Sequence, residues 1–354
     1  MRKIIHASPT KSCALDPIPT WLLKQCEEQI IPVLTLSVNV SLETAEFSDE
    51  LKKACVTPLI RKALLDCEIL KNYRPVSNLS FVSKLLERIV CVQLVDHLKV
   101  NGLYEVFQSA YRQLHSTETA LLRVHNDLLQ AVDSHGGAIL VLLDLSAAFD
   151  TIDHAKLLNI LNTSFGIHGS ALNWFSSYLK DRTQTVQIGS SLSKDQKLKF
   201  GVPQGYVFGP ILFTIYTTPL GRIIRKHGLT FHLYADDTQL YIAFKPAEHS
   251  SKADAISRIE SCVQDIRIWM TNNLLKLNDD KTEVIIITSK EDISSNLDIS
   301  IRVGGHLTSP SMTPPRNLGV LFDSTCSLEA HVYSLVADGC FVCIKCTLRY
   351  SAYY

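Results

Sequence analysis

The densest chemistry in this chain is Tyr234-Ala-Asp-Asp237, two adjacent carboxylates between the apolar, β-prone runs Leu229–Leu233 and Gln239–Phe244. The pattern predicts a hairpin with both acids at its tip. A third acid, Asp144, closes another strongly apolar run, Ala138–Leu143. Three carboxylates held at strand ends can bind two Mg2+ ions, because Mg2+ prefers hard oxygen ligands and keeps positions open for phosphates. Such a pair aligns an attacking hydroxyl and steadies a leaving pyrophosphate, so these residue types point to nucleotidyl transfer. Taken alone, Asp236-Asp237 also fits a solvated turn, where Asp is common; Asp144 tips the reading toward chemistry.

The elements that must position these acids follow from apolar spacing. Residues 1–55 read as mostly helical, with Trp21–Ile31 periodic after Pro17-Ile-Pro19. A short strand is expected over Val56–Ile60, then a polar loop with Asn72-Tyr-Arg-Pro75. Helices are expected over Phe81–Val100 and Thr117–Val132, then the strand ending at Asp144, then a helix from Ser146 to Leu161 and another over Asn173–Leu179. A strand at Thr185–Ile188, a turn at Gly201–Gly205 and a helix through Ile211–Ile215 precede the aspartate hairpin. A helix over 251–273, a strand over 282–288 and a small strand at Ile299–Val303 follow it. Helices and strands interleave without strict alternation, which favours an α+β sheet with helices on one face over a doubly wound fold.

The 354 residues carry 35 basic and 35 acidic side chains, so the net charge is zero. That argues against a free basic tail and leaves room for a basic channel. The clusters Lys52-Lys53, Arg61-Lys62, Lys194–Lys199 and Arg222–Lys226 each read as solvated faces. No apolar stretch is long enough to span a bilayer, and Ser8–Ser12 interrupts any secretory leader. Ten cysteines without such a leader suggest free thiols in a reducing compartment, and Cys340, Cys343 and Cys346 lack the second ligand pair of a zinc site.

Asp144-Leu-Ser-Ala-Ala-Phe-Asp150, Gly201-Val-Pro-Gln-Gly205 and Tyr234-Ala-Asp-Asp237 stand in the order and spacing of reverse transcriptase motifs A, B and C. Asn72–Ser77, Phe107–Arg112, Trp269–Lys276, Leu277–Glu283 and Asn317–Val320 resemble segments of the non-LTR, LINE-type retrotransposon branch. The resemblance runs from about Ser8 to about His331. A group II intron protein or a telomerase subunit would share the palm, but the Asn72–Ser77 and Trp269–Glu283 segments favour the non-LTR branch.

The resemblance implies a right-hand polymerase with fingers and an antiparallel palm sheet. Its expected boundaries are an N-terminal extension over 1–55, fingers over 56–137, palm with part of the fingers over 138–322, and the start of a thumb from 323. Asp144 and Asp236 would be the principal Mg2+ ligands, with Asp237 beside the metals and Mn2+ able to substitute. Lys281 matches a lysine that protonates or stabilises the leaving pyrophosphate; it also reads as a solvated lysine between Asp280 and Glu283. Phe149 would lie under the sugar of the incoming nucleotide and exclude a 2′-hydroxyl. Gln204 and Gly205 would border that nucleotide, and Arg74, with Arg61 or Lys62 on the preceding strand, would hold its triphosphate. Gln108 and Arg112 resemble template or backbone contacts. Leu318 and Gly319 resemble the primer grip and read equally as a plain hairpin. Tyr206 and Phe208 replace the usual Ser and Leu and are expected to add volume beside the template base pair. His154 and His232 read as packed or solvated.

The implied partners are an RNA template, a DNA primer and dNTPs, with no membrane. Full-length elements usually carry an endonuclease before the polymerase, which is not expected in this chain. The ending 340–354 departs from the family pattern and suggests a truncated or frameshifted thumb. The competing expectation is therefore a catalytically inert polymerase fold that at most binds RNA.

Overall fold

A computed structural model describes residues 1–11, 13–146, 149–202, 205–289, 299–303 and 306–337. It divides into two units, each assembled from two stretches of sequence: Met1–Tyr104 with Ala147–Thr217, and Glu105–Ser146 with Thr218–Tyr354.

In the second unit, four antiparallel strands lie in the order Glu283–Thr288, Gly137–Leu143, Asp237–Phe244, Thr230–Tyr234. The unbroken apolar run at the centre is explained by burial. Ile139 and Val141 are as fully enclosed as their alternates Ala138 and Leu140, so both faces of the sheet are covered. On one face the helix Thr117–His135 sets Leu121, Val124 and Leu128 against Ala138, Leu140, Tyr241, Ile285 and Ile287. A capping box between Ser116 and Thr119 starts this helix, and Gly136 in the left-handed region ends it. The helix His249–Asn272 buries Ala255, Ile259, Cys262, Val263, Ile266 and Met270, three or four residues apart with one adjacent pair, as an amphipathic helix requires. Each fully buried aliphatic chain of this kind contributes about 1.5–3 kcal/mol.

The first unit holds a mixed sheet. Lys53–Ile60 pairs antiparallel with Tyr73–Asn78 and parallel with Thr183–Ile188. Tyr73–Asn78, read from sequence as loop, is an edge strand, where Pro75 removes no interior ladder bond. The helix Phe81–Val100 spans the residues its periodicity predicts and is capped by Ser80, whose hydroxyl accepts from the Ser83 N–H. Ile5, Leu23 and Leu34 of the N-terminal helices pack with Phe81 and Leu85.

Several local expectations need correction. The helix expected from Ser146 covers His154–Phe165, because the Asp153 carboxylate accepts from the Lys156 N–H and fixes the start there. Leu145–Ser146 pairs instead with Lys276–Leu277. Lys52 is no solvated face: it is buried, with Nζ 2.7 Å from Asp49 Oδ1. The small strand is Ile301–Val303, paired with His306–Thr308. Beyond residue 322 the described chain holds the helix Glu329–Ala337. The Cys340–Cys346 run lies outside the described residues, as does Gln204. Among the described residues no helix is long and apolar enough to cross a membrane.

Candidate active site

The hairpin register puts the three aspartates at neighbouring strand ends. Tyr234 pairs with Asp237, leaving Ala235 and Asp236 as the two turn residues. On the other side of Asp237–Phe244, the ladder to Gly137–Leu143 ends with Leu143 opposite Thr238. Asp144 follows Leu143 and Asp237 precedes Thr238, so the two acids leave adjacent antiparallel strands side by side. Pairing of Leu145–Ser146 with Lys276–Leu277, together with an Asn278 N–H donated to the Asp144 carbonyl, then holds the 276–281 segment beside Asp144.

That segment delivers Lys281, whose Nζ donates to Asp144 Oδ2 at 2.7 Å. The lysine is mostly exposed, whereas Asp144 is largely enclosed (65% against 19% side-chain exposure), so the charge approaches the acid from solvent. Burial raises the Asp236 carboxyl, and the Asp144 charge adds to that. Asp237 is pushed up to about 6 by burial and by the charges of Asp236 and Asp144, with Lys281 opposing. Like charges are thus crowded into a partly enclosed, all-oxygen donor set. A divalent cation relieves such crowding, so the residues fit a hard metal ion. Among the described residues, no three His, Cys, Asp or Glu side chains form a ready-made metal cage.

Ala235 takes φ +56, a left-handed conformation that costs an L-residue about 1–2 kcal/mol. Gln108 supports it. The segment around Gln108 bridges the Leu233 strand in parallel, exchanging Leu233 N–H to Phe107 O (2.8 Å) and Ser109 N–H to Leu233 O (3.0 Å). Gln108 Oε1 then accepts from the N–H of Ala235 (3.2 Å) and of Ala110 (2.9 Å). At 3% exposure Gln108 cannot reach a template; its place is under the aspartate turn. Arg112 donates to the carbonyls of Glu105 and Gln108 and so ties the same segment together. His232, likewise enclosed, pairs its Nε2 with the Ser109 hydroxyl at 2.9 Å.

A cavity of about 370 Å³ joins Asp144, Asp237 and Lys281 to Arg316 and Leu318. Leu318 (φ +46) and Gly319 (φ +94) form the two-residue turn between Arg316–Asn317 and Val320–Leu321, where both central residues need positive φ. Asn317 Nδ2 donates to Gln239 Oε1 at 2.9 Å, both side chains buried, so this hairpin is fixed to the strand that carries Asp237.

The first unit carries the other expected residues. Arg74 stands exposed opposite Leu59, and Lys62 is exposed beyond the end of the same ladder. Arg61 spends its N–H on the Asn72 carbonyl and its Nε on the Tyr73 carbonyl. Phe149 is half-buried with its ring 4.8 Å from that of Phe213. Its carbonyl accepts from the Val202 N–H, and Gly201 donates to the Ile152 carbonyl, so Phe149 and the Gly201 turn are laced together. Both glycines of that segment are required. A Cβ at Gly201 would meet Asp150 O at 2.6 Å, and one at Gly205 would collide with the Ser77 carbonyl; both residues have positive φ. His154 Nε2 meets the Gly201 carbonyl at 2.8 Å, a packed histidine.

Tyr206 and Phe208 correct a sequence expectation. Neither ring stands free beside a base pair: they are 3% and 0% exposed. Phe208 packs edge-on against Trp174, Phe175 and Tyr178, and Tyr206 lies under the Arg182 guanidinium. Sequence reasoning missed Glu87 and Arg182, which are fully buried and contact this segment. A signal for Glu87 existed: it falls between Leu86 and Val90 on the buried side of its helix.

An antiparallel sheet with paired aspartates at a hairpin turn, a third at the adjoining strand end and a lysine on the third has the arrangement of a polymerase palm. The chain belongs to the reverse transcriptase (RNA-dependent DNA polymerase) family, whose model matches residues 60–322. It is 27% identical over 327 residues to a probable RNA-directed DNA polymerase from transposon BS, and 26% over 332 to one from the X-element, both of Drosophila melanogaster. These matches cover 91% and 93% of this chain, which spans about a third of each relative (35%). A further similarity, 24% over 342 residues and 36% of that protein, is to the RNA-directed DNA polymerase from mobile element jockey of the same fly, with 95% of this chain covered. The chain is therefore a reverse transcriptase domain of the LINE-type branch. A truncated apo telomerase from Candida tropicalis shares the fold, with TM-score 0.50, 13% identity, and coverage of 77% of this chain and 57% of that one. Polymerases of this family generally use divalent metal ions and bind an RNA template with a nucleic-acid primer.

Proposed function

We propose that this domain transfers dNTPs onto the 3′-end of a DNA primer under the direction of an RNA template. The observation that carries the reading is the convergence of Asp144, Asp236 and Asp237 at neighbouring strand ends, with Lys281 on Asp144. The three carboxylates would hold two Mg2+ ions, which when bound activate the attacking hydroxyl and neutralise the leaving pyrophosphate; Mn2+ can take their place. Lys281 supplies a mobile proton and a positive charge at the mouth of the site. Arg74 binds triphosphate oxygens from the exposed face of its strand. Phe149, held by Phe213 and the Gly201 turn, offers a fixed ring against a ribose 2′-hydroxyl. Gly205 and Gln204 border the nucleotide, and Leu318–Gly319 presses on the primer. Residues 56–137 act as fingers, 138–322 as palm with part of the fingers, and the helix Glu329–Ala337 begins a thumb.

Primer extension on poly-A RNA with dTTP and Mg2+ tests this reading, with Asp236→Ala as the control. Incorporation by the parent chain and none by the variant is the expected result. A folded parent chain that extends nothing, where a longer relative does, would overturn it.

A further inference from the structure

Glu87 belongs to none of the recognised motifs, yet it is fully enclosed in the helix Phe81–Val100. An enclosed carboxylate is costly unless every lone pair finds a donor. Here two adjacent backbone N–H groups and one hydroxyl supply the donors. Val207 N–H reaches Glu87 Oε2 at 2.6 Å, the Phe208 N–H adds to it, and the Tyr178 hydroxyl reaches Oε1 at 3.1 Å. Val207 and Phe208 immediately precede the helix Gly209–Thr217, so the carboxylate fills the role of an N-terminal cap supplied by a distant helix.

The charge is balanced locally. Arg182 is buried, donates Nη1 to the Tyr178 carbonyl at 2.8 Å and Nε to the Tyr206 hydroxyl at 3.3 Å. Its guanidinium lies 4.6 Å from the centre of each of the Tyr178 and Tyr206 rings. Burial raises the Glu87 carboxyl, while the Arg182 charge and these hydrogen bonds pull it back. Glu87 holds the 207–208 backbone N–H groups and Arg182 the Tyr206 side chain, and Gly205 is pressed against the Ser77 carbonyl, three residues along the strand from Arg74.

We propose that Glu87, with Arg182 and Tyr206, is a positioning residue for nucleotide binding: the cluster clamps the 205–208 backbone against the strand that carries Arg74. This rests on the polymerase reading, in which that backbone borders the incoming nucleotide. The aromatic at 206 is then a working part of the clamp, since it supplies both the stacking face and the hydroxyl that Arg182 uses.

The test has two arms on the full chain. Hydrogen exchange of the 201–208 segment reads the clamp without requiring activity. Steady-state incorporation of dTTP reads its consequence. Glu87→Met removes the acceptor at nearly constant volume, and Glu87→Met/Arg182→Met also removes the opposing charge, which keeps the fold accessible if the single variant fails to fold. Glu87→Gln keeps one acceptor oxygen. The expected result is faster exchange at 205–208 in both Met variants and a rise of about 10-fold in the dTTP KM with kcat within threefold. Glu87→Gln is expected to restore most of both. Unchanged exchange in a folded Met variant, or kcat falling with the folded fraction at constant KM, would overturn the proposal. If the parent chain itself incorporates nothing, the polymerase reading fails, and the exchange arm still decides whether the clamp exists.

Discussion

Lys281 holds its ammonium on the Asp144 carboxylate at 2.7 Å, although 137 residues separate the two. The contact depends on the short pairing of Leu145–Ser146 with Lys276–Leu277, which brings a polar 3-10 turn at Asp279–Lys281 to the acid. The lysine is mostly solvent-exposed, so the ion pair itself contributes little to stability.

Lys281→Ala is therefore expected to fold normally and to lose about 100-fold in kcat for dTTP incorporation, the lower end for removal of a proton donor. The dTTP KM should stay within about threefold. Steady-state primer extension with melting curves on both proteins checks this; a rise in KM alone would assign Lys281 to nucleotide binding.

Asp236 carries a cost in the metal-free protein, because burial and the Asp144 charge both disfavour its ionised form. Asp236→Asn should abolish incorporation and at the same time raise the metal-free melting temperature, by about 1–3 °C. Differential scanning calorimetry in chelator is the measurement. A lower melting temperature would mean that the carboxylate holds the turn together.

Gln108 is expected to act through the turn. Gln108→Leu leaves the Ala235 N–H without its acceptor and should lower stability by about 1–2 kcal/mol and kcat on every template alike. RNA affinity and its salt dependence should not change, because the residue is enclosed. Urea denaturation and RNA binding at two ionic strengths separate this from a template contact.

Burial pushes His232 down to about 4. Its folded value thus lies below the ordinary 6.5, so between pH 6.5 and 4 the unfolded chain binds a proton that the native chain refuses. Stability falls as pH drops through that window, by up to about 3 kcal/mol. Asp237, raised to about 6, acts in the opposite sense over pH 4–6: the native state holds the proton there, and stability falls as pH rises. His232→Gln should remove the first slope and leave the second. Chemical denaturation at four or five pH values, variant against parent, isolates the difference.

The clustered carboxylates and their elements were legible because their signals are local. An apolar run broken by Asp and a hairpin with Asp-Asp at its tip need no knowledge of the rest of the chain. The bounds of Phe81–Val100 were legible for the same reason. Ser146-Ala-Ala suggested a helix that begins at His154, because the choice rests on the Asp153 cap and on strand pairing with residues about 130 positions away. Tyr206 and Phe208 were expected to add volume beside the template base pair because motif alignment gives a position and not a direction; Arg182 and the Trp174–Tyr178 rings set the direction. Lys52 was read as solvent-facing because charge usually is, and Glu87 drew no reading at all; only tertiary partners could place either one.

The parallel pairing of Lys53–Ile60 with Thr183–Ile188 has a bearing on synthesis. A parallel neighbour cannot come from a hairpin, and this one arrives about 130 residues later. While the chain emerges from the ribosome, Lys53–Ile60 and its antiparallel partner wait with one ladder edge open. Both units also take their final segments from beyond residue 146, so neither can close early. Release at any point before about residue 188 would leave an unpaired strand edge, the surface that recruits other chains. Translation past residue 188 is thus a condition for closing this edge, and products released earlier are expected in the insoluble fraction.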